Sequence, residues 1–411
     1  MKIFNRKLKI TSFALLALCI LFLMSACANG DSQPEQFQAT EQTTVQPTTM
    51  SEEEINDQKL DRFISNMKLE EKVGQMFFVR CPDEDAVQQV REYNIGGYIL
   101  FGRDFDGKTK DEVINCIQSY QDEADIPLLI GVDEEGGTVV RVSSNPNLRE
   151  APFLSPKDTY ADGGWDAVKQ DAEEKADLLL SLGINVNLAP VCDMTSDEYG
   201  FMYDRSFSSD IDMENRFVRT VVETSKSKKL GTVLKHFPGY GNNSDTHTGI
   251  AYDDRDYSEF ENTDFKPFYQ GIESGADCIL VSHNIVNCMD SEYPASLSQK
   301  VHDILRNDLR FDGVIMTDDL IMDAITDFTG DEAAAVTAAK CGNDLLCCSS
   351  VDTQYPAVLE AVQSGKISEA QVDASVKRIL KWKQNLGIFN IDTYQKKVKS
   401  TEPTDTVRSE E

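Results

Sequence analysis

The chain has 411 residues, 40% of them hydrophobic, which suffices for one large barrel or for two to three ordinary domains. Its formal charge of -30 argues against nucleic acid as a partner, because phosphate binding needs a basic surface.

The first 27 residues read as a processing segment. Lys2, Arg6, Lys7 and Lys9 precede an apolar stretch over 13–24, and Met24-Ser25-Ala26-Cys27 then sets small residues before a cysteine. The pattern resembles the lipobox of bacterial lipoproteins, with Met24 where Leu is commoner. That resemblance implies lipidation of Cys27, a new N-terminus there, and a cell-membrane anchor facing the extracellular side. An ordinary secretory signal or an anchor helix is the alternative, but the apolar run is short for a membrane span. Losing the four cations of this segment, which has no acids, takes the charge from -30 to -34. Residues 28–51, rich in Gln, Thr, Ser, Glu and Pro, are predicted to be a disordered tether.

A folded domain is predicted over 52–391, followed by a polar tail over 392–411. Ser51 with Glu54 forms a capping-box pattern that opens the first helix. Strands are predicted at 73–79, 97–101, 127–132, 184–191, 232–236, 278–282, 313–317 and 344–348. Amphipathic stretches separate them. The one over 166–182 is stopped by Gly183, and the last, over 368–386, opens with Ser368 and Gln371 in capping-box register. Apolar, β-branched strands alternating with helices mean parallel strands covered on their outer side. Eight such units fit a (β/α)8 TIM-type barrel as a single catalytic domain. A doubly wound sheet would need a glycine-rich first turn, and no GxGxxG occurs.

Of ten cysteines, Cys19 and Cys27 fall in the leader. The others sit mostly in apolar runs and lack paired CxxC spacing, so buried free thiols are expected rather than a disulfide framework or a metal site.

In such a barrel, chemistry gathers where strands end. The third strand ends in Asp133-Glu134-Glu135-Gly136-Gly137, with Arg141 shortly after; Asp193 and Arg205 follow the fourth. The fifth ends in Lys235-His236, after which a Pro238-Gly239 break and a glycine-rich loop deliver Asp245 and His247. A carboxylate beside an imidazole can set its tautomer and make it a proton-transfer group. The sixth ends in Ser282-His283-Asn284, the seventh in Thr317-Asp318-Asp319 and the eighth in Ser349-Ser350. Three of the four histidines thus share one rim, although a single one would pass as structural. Carboxylates, cations and amides around a rim suit a polyhydroxyl ligand, and glycoside cleavage needs a nucleophile and a proton donor. No cofactor is implied: metal-ligand spacing and a P-loop are both missing from the sequence.

These residues resemble family 3 glycoside hydrolases, most closely the single-domain bacterial β-N-acetylglucosaminidases. The resemblance runs from Leu69-Glu70-Glu71-Lys72-Val73-Gly74-Gln75-Met76 to the last helix. It includes Gly131-Val132-Asp133-Glu134-Glu135-Gly136-Gly137, Lys235-His236-Phe237-Pro238-Gly239 and Gly313-Val314-Ile315-Met316-Thr317-Asp318-Asp319-Leu320. It implies that Asp318 is the nucleophile of a retaining mechanism and that His247, oriented by Asp245, is the general acid/base. It also implies that Asp133, Arg141, Arg205, Lys235 and His236 hold the terminal sugar. The expected substrate is an oligosaccharide or muropeptide ending in β-linked N-acetylglucosamine. Two departures bear on substrate preference: Tyr240 stands where His is usual, and the loop from Gly241 to Asp245 is one residue shorter than expected. In a third, Glu134 replaces the usual Gln and is expected to add a negative charge near the sugar site. The other readings are a β-glucosidase, a phosphorylase of the same bond, and a non-catalytic sugar-binding lipoprotein. The last is disfavoured because Asp318, Asp245 and His247 are all present.

Overall fold

A computed structural model of the chain describes residues 50–243, 246, 249–329 and 334–394. Cys27 with the leader and most of the tether, the Asp245 and His247 pair, and residues 395–411 lie outside the described residues.

Eight parallel strands form the sheet: β1 Phe77–Arg80, β2 Gly97–Leu100, β3 Leu129–Val132, β4 Val186–Asn187, β5 Gly231–Phe237, β6 Cys278–Val281, β7 Val314–Thr317 and β8 Leu346–Cys348. Each pairs with the next in sequence up to β7. β8 returns to β1 with Phe77 opposite Leu346, and a bridge from Met316 to Leu345 brings the ring to near closure between β7 and β8. This is the predicted barrel. A two-residue parallel pair outside it joins Tyr252–Asp253 to Ile285–Val286.

The period of two along each strand sorts its side chains. Phe78, Ile99, Leu129, Val233, Leu280 and Met316 fill the barrel interior. Their neighbours Phe77, Val79, Tyr98, Leu100, Ile130 and Val132 pack outward against helices. Gly131 is an interior position where a Cβ would lie 2.6 Å from Phe78 Cζ, so the absent side chain makes room for that ring. Ile379 and Trp382 of the last helix, Glu369–Asn385, and Leu386 just after it join the interior layer, and Trp382 lies against the start of β5 at Gly231. The last helix therefore packs into the barrel floor, at the end opposite the rim where the strands deliver their polar residues.

Three expectations need correction. Residues assigned to the first strand at 73–79 begin as helix Leu69–Gln75, and the strand starts at Phe77. A short apolar run does not distinguish a buried strand from a buried helical turn. The helix expected at 166–182 begins at Pro156, capped by Ser155, and is interrupted at Gly163 and Gly164 before it ends at Ser181. Packing also continues past 391, because Tyr394 sets its ring edge against Phe63 at 5.0 Å and Asp392 pairs with Lys59.

All eight described cysteines are free, six of them buried. Among the described residues no helix is long and apolar enough to cross a membrane.

Candidate active site

The open rim surrounds a cavity of about 380 Å³. β3 supplies its acids, and alternation decides which of them enter. Asp133 and Glu135 line the cavity, whereas the intervening Glu134 points away. Its buried carboxylate accepts from the backbone N–H groups of Arg141 (2.9 Å), Val142 (2.7 Å) and Ser143 (3.2 Å). Glu134 thus ties down the loop carrying Arg141 and does not add charge beside a sugar, contrary to expectation.

β5 supplies the cations. Lys235 Nζ lies 2.6 Å from Asp133 and 2.5 Å from Glu135. Arg205, from the loop after β4, grips Glu135 with two bonds of 3.0 and 2.8 Å. Burial would raise the Glu135 pKa, but Lys235 and Arg205 outweigh it and hold the carboxyl well below its ordinary value. Burial would likewise lower the Lys235 pKa, yet Asp133 and Glu135 keep it raised. The cluster is therefore charged and pre-paired.

His236 follows, after a cis peptide bond from Lys235. Its Nε2 lies 3.2 Å from Arg205 Nη2 and its Nδ1 lies 2.7 Å from Asp193 Oδ2. A guanidinium can only donate, so Nε2 accepts and Nδ1 carries the proton toward Asp193. That neutral tautomer leaves His236 no N–H for a leaving group. Asp193 also receives the backbone N–H groups of His236 (2.9 Å) and Tyr240 (2.7 Å). Tyr240 is buried, and its hydroxyl shares a 2.6 Å hydrogen bond with Thr246, the described residue between Asp245 and His247. Burial first, and then the Asp318 carboxylate, push the Tyr240 phenol far up, so it stays protonated.

Across the cavity, β7 delivers Asp318 and Asp319, and both line it. Asp318 accepts the Asp319 N–H at 2.8 Å. Asp319 serves the turn: Ser349 donates to one oxygen at 2.5 Å and the Ile321 N–H to the other at 3.2 Å. His283 is buried behind it, bonded to the Asp319 carbonyl (3.1 Å) and to Ser296 (2.7 Å), which makes it a support rather than a cavity residue.

Six expected site residues, Asp133, Arg141, Arg205, Lys235, His236 and Asp318, thus line one cavity. Sequence reasoning missed the parts played by Glu135, Asp193 and Arg80. Glu135 was legible from its spacing of two from Asp133. Arg80 was hidden by ending the first strand one residue too early. Among the described residues, no group of three or more His, Cys, Asp or Glu side chains is arranged to hold a metal ion.

The sequence model of the "Glycosyl hydrolase family 3 N terminal domain" matches residues 68–382. A β-hexosaminidase of Hydrogenovibrio crunogenus is 32% identical over 286 residues, 68% of this chain and 79% of that protein. The structure of a family 3 β-N-acetylglucosaminidase from Paenibacillus sp. FPU-7 is similar with a TM-score of 0.73 and 30% identity, over 78% of this chain and 63% of that one. A β-N-acetylhexosaminidase structure from Beutenbergia cavernae is similar with a TM-score of 0.70 and 25% identity, over 78% of this chain and 99% of that one.

Proposed function

This chain belongs to glycosyl hydrolase family 3, and on that footing we propose that it is a retaining, exo-acting β-N-acetylhexosaminidase. Its substrates are peptidoglycan fragments or related oligosaccharides that end in β-linked N-acetylglucosamine. The observation that carries the reading is the meeting of Asp318 with Asp133, Arg205, Lys235 and His236 around one cavity at the barrel rim. A floor closed by the last helix suits a chain end, which supports exo action.

Asp318 attacks the anomeric carbon while His247 protonates the departing oxygen, leaving a glycosyl ester on Asp318. His247 then takes a proton from water, the water opens the ester, and the configuration is retained. An imidazole with an intrinsic pKa of about 6.5 serves both steps near neutral pH, and it avoids the repulsion that a second carboxylate would meet beside Asp318. The His236 tautomer supports giving this role to another residue. In this reading Cys27 carries a lipid that holds the enzyme on the extracellular side of the cell membrane.

The test is hydrolysis of paired chromogenic β-N-acetylglucosaminide and β-glucoside by residues 28–411, with and without phosphate. Fast, phosphate-independent release from the N-acetyl substrate is expected. It should be lost in Asp318→Ala, with sugar binding kept, and in His247→Ala. Preference for the glucoside, dependence on phosphate, or no turnover would overturn the reading.

A further inference from the structure

Tyr240 opens the loop that leads to Asp245 and His247, and it is held on several sides. Its backbone N–H donates to Asp193 Oδ1 at 2.7 Å, and its carbonyl accepts the Asn243 N–H at 2.9 Å. Its ring stands edge-on to His236 at 5.2 Å and to Phe201 at 5.0 Å. His236 lines the cavity and Tyr240 is buried beside it, so the phenol is not placed to touch a bound sugar. What the phenol does reach is Thr246. The two hydroxyl oxygens lie 2.6 Å apart, and Thr246 is fully enclosed. Between the two residues the sequence is Gly241-Asn242-Asn243-Ser244-Asp245, which has no large apolar side chain to fix it by packing. Ordering such a backbone costs conformational entropy, and a hydrogen bond that closes it onto a fixed ring offsets part of that cost. Neither hydroxyl could lose its partner cheaply, because both are buried.

We infer that Tyr240 is a positioning residue for proton transfer: its hydroxyl holds Thr246, and through Thr246 it sets where His247 meets the departing oxygen. Thr246 precedes His247 directly, so a shift of its backbone is passed on to the imidazole. Proton transfer tolerates little of that, because donor and acceptor must come within about 3 Å of each other. The bond also lies on the correct side of the cavity. After burial, the Asp318 carboxylate is the next cause that raises the phenol's pKa, so the hydroxyl sits within electrostatic reach of the nucleophile. Tyr240 neither gives the proton nor binds the sugar; it acts through Thr246.

This role rests on the proposed reading of His247 as the acid/base, so the two are tested apart. The probes are phenyl and 2,4-dinitrophenyl β-N-acetylglucosaminide, and kcat/KM is measured for each with residues 28–411. Phenol leaves only with a proton, whereas dinitrophenolate leaves without one. Tyr240→Phe keeps the ring and removes the hydroxyl. It is expected to lower kcat/KM about tenfold on the phenyl substrate, the scale of one hydrogen bond, and less than twofold on the dinitrophenyl one. Thr246→Val should give the same pattern, and Thr246→Ser, which keeps a hydroxyl, should restore the unmutated one. The double variant Tyr240→Phe/Thr246→Val should lose no more than either single variant, because both remove one bond. Equal losses on the two substrates would mean a general structural role and would overturn the inference. So would unchanged rates on the phenyl substrate, or losses that add in the double variant. Turnover by the unmutated enzyme, and its loss on the phenyl substrate in His247→Ala, judge the underlying reading by themselves.

Discussion

Glu135 shows how one side chain sets the character of the site. Fully enclosed, it is bonded to both Lys235 and Arg205. Because its folded pKa lies well below the ordinary 4.5, its stabilising contribution is complete above about pH 4.5 and fades only as the pH falls toward the folded value. Glu135→Gln leaves two buried cations short of a partner and should cost about 3–5 kcal/mol at pH 7. Urea unfolding at pH 7 and again below pH 4 should show that deficit shrink with acid; a deficit independent of pH would mean the pairs contribute nothing. Asp193 acts one step away from the sugar. Asp193→Asn disturbs the acceptor that holds the His236 tautomer, and kcat/KM on the chromogenic substrate should fall about tenfold, mostly through KM.

At the scale of elements, the loop that starts at Pro238 is anchored where it leaves β5. Arg255 bonds the Gly239 carbonyl at 2.9 Å and is itself held by Asp253 and Asp264. Arg255→Met releases this anchor at a distance from the cavity, so kcat should drop several-fold while KM for the chromogenic substrate changes little. The last helix illustrates how a legible cap can be used in part. Ser368 accepts the Gln371 N–H at 3.2 Å as expected, but the Gln371 side chain donates to the Ala339 carbonyl instead of returning to Ser368. Ser368→Ala should cost about 1 kcal/mol in thermal or urea unfolding.

On the scale of the whole molecule, the barrel floor carries an electrostatic cost. Lys383 of the last helix is enclosed, its ammonium nitrogen bonded to Gln75 at 2.8 Å, and burial lowers its pKa to about 7. Between that value and the unfolded value near 10.5 the unfolded chain holds more protons, so this residue's penalty is full below pH 7 and is relieved as the pH rises. Lys383→Met should therefore raise the unfolding temperature at pH 6.5, and the advantage over the unmutated protein should narrow by pH 9.5. A constant advantage would show that Lys383 keeps its proton in the folded protein at both pH values, without a lowered pKa.

Much of this protein was determined by the sequence alone. Strand-sized apolar runs, separated by amphipathic helices, admit few arrangements; a parallel barrel and a doubly wound sheet both cover the strand faces, and eight units without a glycine-rich first turn point to the barrel. The rim residues were legible for the same reason: Asp133, Lys235, His236 and Asp318 sit where such runs stop. Pattern was insufficient wherever the deciding fact was a neighbour distant in the chain. Only the folded chain sets Lys235 against Glu135, 100 residues apart, or turns Glu134 into a backbone anchor. The boundary between helix and strand at Phe77 belongs to the same class, since apolar residues stand on both sides of it and pairing within the barrel decides. Tertiary structure also decided which charges are already paired, as Arg205 is with Glu135, because a charge is neutralised by whatever the fold brings within a few ångströms.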